Sequence, residues 1–283
     1  MKQKIFFLSL VIIFALPCFA FAQVKNLNAI PLDPTTLPCK TAIILDAATG
    51  DTLYSYNEED FSIPASLTKL LTIMVFLDGK PNLNKLISLT KADEVGGGRL
   101  RVNYGSKFSL KDALYSTLIA STNNTAMILA RASGLSYKDF VSRMNLKAQN
   151  WGLDAYFHEA AGMSTANITT PIQMAKIARE AFKYPLIREI SQLPKYEFKI
   201  RNTGLIKNVT NTDALVSESN DNFILTASKT GYLPEAGNNL AISAKNINGL
   251  GEIIVLVMGS PTKPDSFSAV KTLTEWAFKN YTW

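Results

Sequence analysis

Two blocks of strand-forming sequence stand at opposite ends of this chain, and the residues between them read mostly as helix. Residues 42–57, AIILDAATGDTLYSYN, are two apolar and aromatic runs around a Thr49-Gly50-Asp51 turn, the pattern of a hairpin. Residues 223–259 return to strand: FILTASKT, then NLAISAK, a loop through Asn248 and Gly249, then EIIVLVMG. Residues 66–190 carry helix signals instead. Ser109 and Asp112 start one helix, and Ser136 with Asp139 resembles a capping pair before FVSRMNLKAQNWG, which stops at Gly152. Thr170-Pro171 opens TPIQMAKIAREAFKY with proline at the first helical position, and Pro185 follows its end. A last amphipathic helix is expected from Ser268 to about Lys279. Strands at both ends with helices inserted between them predict an α/β fold: one sheet assembled from both termini, flanked by helices, with a helical subdomain at about residues 80–190.

The first 22 residues stand apart. Lys2 and Lys4 precede an apolar run from Ile5 to Leu16, then Pro17 and Ala20-Phe21-Ala22, the three regions of a secretory signal peptide, so Gln23 is expected to begin the mature chain. A membrane anchor would need roughly 20 apolar residues without a small-residue exit, and Pro17 before Cys18 argues against a lipoprotein site. No later segment is long or apolar enough to span a bilayer. The expectation is an exported protein of the periplasm or cell-wall space, without stable membrane insertion after cleavage. Removing the two leader lysines lowers the net charge from +6 to +4, and the remaining cations form no run of the kind that marks a nucleic-acid stripe. Cys39 is then the only cysteine, so no internal disulfide is available and the fold must stand on its core.

One tetrapeptide occurs twice, SLTK at Ser66–Lys69 and at Ser88–Lys91, and SPTK at Ser260 and SAVK at Ser268 also match S-x-x-K. Residues i and i+3 share a face on a helix and lie on opposite sides of a strand. Ser88 follows the alternating LNKLIS and reads as a strand or loop edge, so its lysine points away. Pro261 and Pro264 bracket Lys263 after Ser260, and nothing chemically useful follows Ser268. Ser66 stands at the start of LTKLLTIMVFL, a helix apolar enough to be buried. There a serine meets free backbone N–H groups, the donors that an acyl-transfer oxyanion needs. Burial of Lys69 one turn later would lower its pKa and make it a neutral base. The plain alternative is a capping serine beside a surface lysine.

Two further stretches bear on that choice. At Ser121 an apolar helical pattern is interrupted by S-T-N-N-T and then resumes, so Ser121 and Asn123 would sit where two helices meet, facing a cleft. Thr122 or Asn123 could equally cap the second helix. At 228–232 the chain reads S-K-T-G-Y at the end of a strand, offering the Lys229 cation, the Thr230 hydroxyl and, at Gly231, room for close approach of a substrate backbone.

S-x-x-K, S-x-N and K-T-G in this order resemble the motif set of the penicillin-recognising serine enzymes. The flanks PASLTKLLTIMVFLD, STNNTAMILA, MNLKAQNWGL and SKTGYLPEAGNNLAISA are similar to the low-molecular-mass D-alanyl-D-alanine peptidases, of peptidase S11 type, over residues 40–280. The resemblance implies a β-lactamase/transpeptidase-like catalytic domain over residues 23–283, ending at Trp283 without the C-terminal β-domain or amphipathic membrane helix of many relatives. It implies a D-alanyl-D-alanine carboxypeptidase that works through an acyl-enzyme. Its partners would be peptidoglycan stem peptides, with β-lactams as covalent inhibitors, and no metal, cofactor or nucleic acid. Ser66 would be the nucleophile, Lys69 its base and Ser121 a proton relay. Asn123, Lys229, Thr230 and Gly231 would hold substrate, with the backbone N–H groups of Ser66 and Tyr232 as the oxyanion hole. Cleavage of D,D-cross-links uses the same groups and is the alternative activity. Two positions depart from the family pattern: Thr122 where Gly or Glu is usual, and Asn124 where Asp is frequent.

Other readings are weaker. A class A β-lactamase would add a glutamate followed four residues later by asparagine; Glu159 is placed suitably, but Met163 stands four beyond it. His158 is the only histidine and no G-x-S-x-G elbow occurs, which disfavours a Ser-His-Asp hydrolase. Gly96–Gly98 lacks a following G-K-S/T and reads as a turn at the cleft edge. A non-catalytic penicillin-binding sensor is opposed by the presence of all the motif residues.

Overall fold

A computed structural model describes residues 24–26, 30–218 and 221–283; the signal-peptide reading of residues 1–22, with Cys18 and Gln23, lies outside them. In chain order the strands are β1 (Val24–Lys25), β2 (Thr41–Asp46), β3 (Thr52–Tyr56), β4 (Leu86–Ser88), β5 (Lys107–Ser109), β6 (Lys195–Lys199), β7 (Ile206–Thr210), β8 (Phe223–Leu233), β9 (Gly237–Asn246), β10 (Glu252–Ser260) and β11 (Tyr281–Thr282). The helices are α1 (Thr68–Asp78), α2 (Leu110–Ile119), α3 (Asn123–Ala132), α4 (Tyr137–Asn150), α5 (Pro171–Phe182), α6 (Pro185–Ser191) and α7 (Lys263–Asn280).

The main sheet has the order β3-β2-β10-β9-β8, all antiparallel, so both ends of the chain share one sheet, as the sequence pattern predicts, with the N-terminal hairpin against the last long strand. Ile43 faces Leu256 and Ile44 faces Val255 across the β2–β10 ladder. Both faces of the sheet are covered. Ile43, Leu45, Ile254, Leu256 and Met258 pack into a core with α1 to α6, while Ala42, Ile44, Ile253, Val255 and Val257 pack into a second core with Val270 and Leu273 of α7. Alternate side chains of a strand point to opposite faces, so a strand buried on both sides is apolar at every position. This is why AIIL and EIIVLVM show no polar alternation.

Three boundaries differ from the sequence reading. Strand β8 continues to Leu233, so S-K-T-G-Y lies within the edge strand and does not end it. Helix α7 begins at Lys263, five residues before Ser268, because Thr262 caps it: the Thr262 hydroxyl accepts from the Asp265 N–H and the Asp265 carboxylate accepts from the Thr262 N–H. Pro264 then falls in the first turn, where its missing N–H costs nothing. Pro185 opens a further helix, α6, as well as following α5. The hairpin β6–β7 has no counterpart in the sequence reading.

The two capping pairs form as expected at the starts of α2 and α4. At α2 the Ser109 hydroxyl accepts from the Asp112 N–H at 3.1 Å and the Asp112 carboxylate accepts from the Ser109 N–H at 2.9 Å. Substituting Ser109→Ala should lower stability by about 1 kcal/mol, measured as a shift of the urea midpoint without change of slope.

Candidate active site

Ser66 lies in a 3-10 turn, Ala65–Leu67, that leads directly into α1. It is half-buried and caps nothing, and Ala65 before it adopts φ +49°, the left-handed region that L residues avoid. The turn is wedged from three sides. Asn239 on β9 donates to the carbonyls of Ile63 and Pro64 and accepts from the Gly259 N–H, tying the turn to the sheet. A Cβ on Gly231 would come within 2.9 Å of the Pro64 oxygen, and one on Gly162 within 2.1 Å of the Ala65 oxygen. Only glycine lets edge strand β8 and the 159–164 loop close on the turn from opposite sides.

Lys69 follows one helical turn later and is fully buried. Its Nζ contacts three oxygens: Ser66 Oγ at 2.7 Å, Asn123 Oδ1 at 2.7 Å and the Ala161 carbonyl at 2.5 Å. Burial pushes its pKa down to about 7, opposed in part by the charge of Glu159. An ammonium donates to all three oxygens; the free amine keeps two of those bonds and turns its lone pair on the Ser66 hydroxyl. The same pocket thus accommodates both protonation states without rearrangement.

The Ala161 carbonyl is aimed by an ordered loop. The Glu159 carboxylate accepts from the N–H groups of Ala161 and Met163 and from the Asn167 amide. Asn145 exchanges two bonds with the Phe157 backbone, and the Thr72 hydroxyl of α1 donates to the Ala160 carbonyl at 2.6 Å. Glu159, weighed above as a water-activating base, is therefore occupied in bracing the loop. His158 is an exposed loop residue.

Ser121 lies between α2 and α3 with φ +54°, and this left-handed residue turns the chain from one helix into the next. Thr122 holds the N-cap position of α3 without a side-chain cap bond. Lys229 on β8 donates to Ser121 Oγ and to the Thr230 carbonyl, both at 2.8 Å. Its ammonium is buried and its pKa is driven well below the ordinary value by burial first, then by the charges of Lys69 and Lys263, with Asp213 opposing. Asn123 gives its oxygen to Lys69, while its nitrogen donates to the Gly96 carbonyl and to Met163 Sδ. Thr230 Oγ1 lies 2.6 Å from Thr212 Oγ1.

These residues line one cleft of about 550 Å³. Ser66, Ser121, Asn123, Thr230 and Gly231 lie along it, Gly97 and Gly98 form its lip, and the Tyr232 side chain is 60% exposed beside it. Lys69 and Lys229 lie behind Ser66 and Ser121, one lysine against each serine. The other S-x-x-K serines lie elsewhere: Ser88 is on β4 opposite Lys107, Ser260 is on β10, and Ser268 is exposed on α7. Thr212, Asn239 and Lys263 also line the cleft or brace it; sequence reasoning assigns the first two no role and sets Lys263 aside with the Ser260 match. Thr212 and Lys263 lie outside the three motifs; Asn239, in GNNLAIS, is an ordinary strand residue by pattern. Among the described residues no cluster of His, Cys, Asp and Glu could hold a metal ion.

The family model described as D-alanyl-D-alanine carboxypeptidase, peptidase S11, matches residues 28–262. The chain is 30% identical over 279 residues to a D-alanyl-D-alanine endopeptidase of Escherichia coli, covering 97% of this chain and 88% of that one. It is 32% identical over 240 residues to a D-alanyl-D-alanine endopeptidase of Pseudomonas aeruginosa, covering 83% and 76%. A solved structure of a Streptomyces K15 DD-transpeptidase mutant superposes with TM-score 0.77 at 26% identity, covering 86% of this chain and 98% of that one.

The Lys69 environment sets a pH dependence for Ser66. Below the pKa of about 7 the lysine already holds a proton and cannot take one from the hydroxyl; above it the amine is free. The rate at which a neutral active-serine reagent modifies Ser66 should rise between about pH 6 and pH 8. A Lys69→Met variant should react far more slowly and show no such rise, read by mass spectrometry.

Proposed function

We propose how a chain that belongs to the D-alanyl-D-alanine carboxypeptidase family, peptidase S11, uses these groups. The protein is a serine-type D-alanyl-D-alanine peptidase. The observation that carries the assignment of roles is the 2.7 Å contact between a buried, pKa-lowered Lys69 and Ser66 Oγ.

Lys69 as the free amine takes the hydroxyl proton while Ser66 Oγ attacks the carbonyl carbon of a D-alanine. The negative charge that develops on the carbonyl oxygen meets the backbone N–H groups of Ser66 and Tyr232; the close approach of Gly231 to the Ser66 nitrogen supports this pairing. Collapse of the intermediate breaks the C–N bond, and the leaving amine receives a proton through Ser121, whose Oγ accepts from Lys229 Nζ at 2.8 Å. Water then attacks the acyl-enzyme and releases a D-alanyl carboxylate and free Ser66. Lys229 and Thr230 hold the carboxylate that accompanies the leaving amine. Asn123 keeps Lys69 in place with its oxygen and offers its nitrogen to a substrate carbonyl in exchange for Met163 Sδ, a weak acceptor. A β-lactam acylates Ser66 by the same attack, its carboxylate on Lys229 and Thr230.

Terminal D-alanine and the D-centre of a cross-linking diamino acid both place a carboxylate beside the leaving amine, so one cleft serves carboxypeptidase and D,D-endopeptidase action. The names of the Escherichia coli and Pseudomonas aeruginosa relatives favour cleavage of cross-links. Work on peptidoglycan fits the exported, cell-wall location read from the leader. Among the described residues no helix is long and apolar enough to cross a membrane.

Two measurements test this reading. Purified protein should convert cross-linked muropeptide dimers to monomers; release of D-alanine from pentapeptides alone would make it a carboxypeptidase only. Labelled penicillin should bind covalently to the unaltered protein and not at all to Ser66→Ala, while Ser121→Ala should lower turnover by about 10²–10⁴-fold with the protein still folded.

A further inference from the structure

A second depression of about 400 Å³ lies on the far side of the lip, lined by Glu94, Arg99, Arg101, Asn103 and Tyr104 among others. The Gly96–Gly98 segment separates it from the catalytic cleft, which Gly97 and Gly98 line. The wall between them is fixed. Asn123 N–H donates to the Gly98 carbonyl at 2.7 Å, and Asn124 binds both backbone groups of Leu100 and donates to Glu94. Arg99 lies 3.8 Å from Glu94, which offsets its charge. Arg101 is exposed and has no ion pair or side-chain hydrogen bond among the described residues.

The basic surface continues beyond the depression. Asn202 joins its end by donating to the Gly105 carbonyl and accepting from the Lys107 N–H, and the Arg201 N–H donates to the Lys107 carbonyl. Lys107 and Arg201 are exposed, and neither has an ion-pair partner among the described residues. Cations from residues 99–107 and from 201, a hundred positions apart, thus meet on one side of the cleft. Glu94 is the single carboxylate among the depression's lining residues.

We propose that this surface, from the lip at Gly98 to Arg201, binds an acidic peptide strand of a cross-linked substrate, with Arg101 and Arg201 pairing its free carboxylates. Charge complementarity and continuity with the cleft identify the occupant: the strand emerges from the cleft over the lip and meets exposed guanidinium groups able to take a carboxylate with two bonds. Tyr104, 58% exposed, adds an apolar face beside them. The inference rests on the peptidase reading, and its test uses binding without turnover so that the two stand separately.

In a Ser66→Ala background, the Kd of a purified muropeptide dimer is measured with and without Arg101→Glu and Arg201→Glu. Reversal of both charges should weaken binding about 10-fold, and a dimer whose carboxylates are converted to amides should bind both proteins equally. In the Ser66 enzyme the same two substitutions should leave the rate of labelled-penicillin acylation unchanged, which also reports an intact fold. Equal Kd values for the free-acid dimer would overturn the proposal, and so would a parallel fall in penicillin acylation, which would place the arginines in service of the cleft itself. Failure of the unmodified enzyme to cut dimers bears only on the endopeptidase reading.

Discussion

The buried nitrogen of Lys69 is the constraint around which the site is arranged. Withdrawing an ammonium from water costs several kcal/mol unless acceptors replace the lost solvation. Three oxygens do so here, and each arrives from a different part of the chain: Ser66 from the turn before α1, Asn123 from the start of α3, and the Ala161 carbonyl from a braced loop. The sheet fixes the first through Asn239, the helix junction at Ser121 fixes the second, and Glu159 with Asn167 fixes the third. Moving any one leaves a buried cation short of a partner. The same burial that makes the lysine costly to hold lowers its pKa to about 7, so that the free amine is present at neutral pH.

A second buried lysine stands in the same cleft. Protonation of Lys229 is disfavoured by its burial first and then by the charge of Lys69. Each is paired with one serine hydroxyl, so the two hydroxyls of the cleft have separate nitrogen partners. The backbone carries strain at these places: Ala65 and Ser121, neither a glycine, both stand in the left-handed region, a conformation costing about 1–3 kcal/mol where context enforces it. Sheet, helices and loop together are large enough to enforce it.

Much of this was legible in the chain. Strand blocks at both ends predict one sheet assembled from both termini, and helical spacing separates Ser66 from Ser88, which the structure puts on β4 with its lysine in a different segment. The Ser109 and Ser136 capping pairs mark α2 and α4 because capping is local chemistry. What escaped is what depends on distant segments. The need for glycine at 162 and 231 arises from a turn some 100 and 165 residues earlier in the chain. Strand β8 runs past K-T-G because β9 pairs with it to Leu233, and the basic face exists only after residues 105–107 meet residues 201–202. A reading of scattered positive charge was correct for the linear chain and silent on where folding gathers it.

The departures in the second motif acquire a physical meaning from the same contacts. Thr122 lies in a hydroxyl cluster with Thr125, which also bonds Thr117, so this position stitches α2 to α3 beneath Ser121. Asn124 presents its oxygen to the Leu100 N–H and its nitrogen to the Leu100 carbonyl and Glu94. An aspartate there could satisfy the first bond, but its second oxygen would face a carbonyl and a carboxylate with no proton to share. Asn124 is thus matched to Glu94, and together they set the lip that divides the catalytic cleft from the basic depression. Asn123 holds Lys69 while its neighbour holds the wall, so a contact of the buried lysine and the shape of the cleft's edge are both fixed from the first turn of one helix.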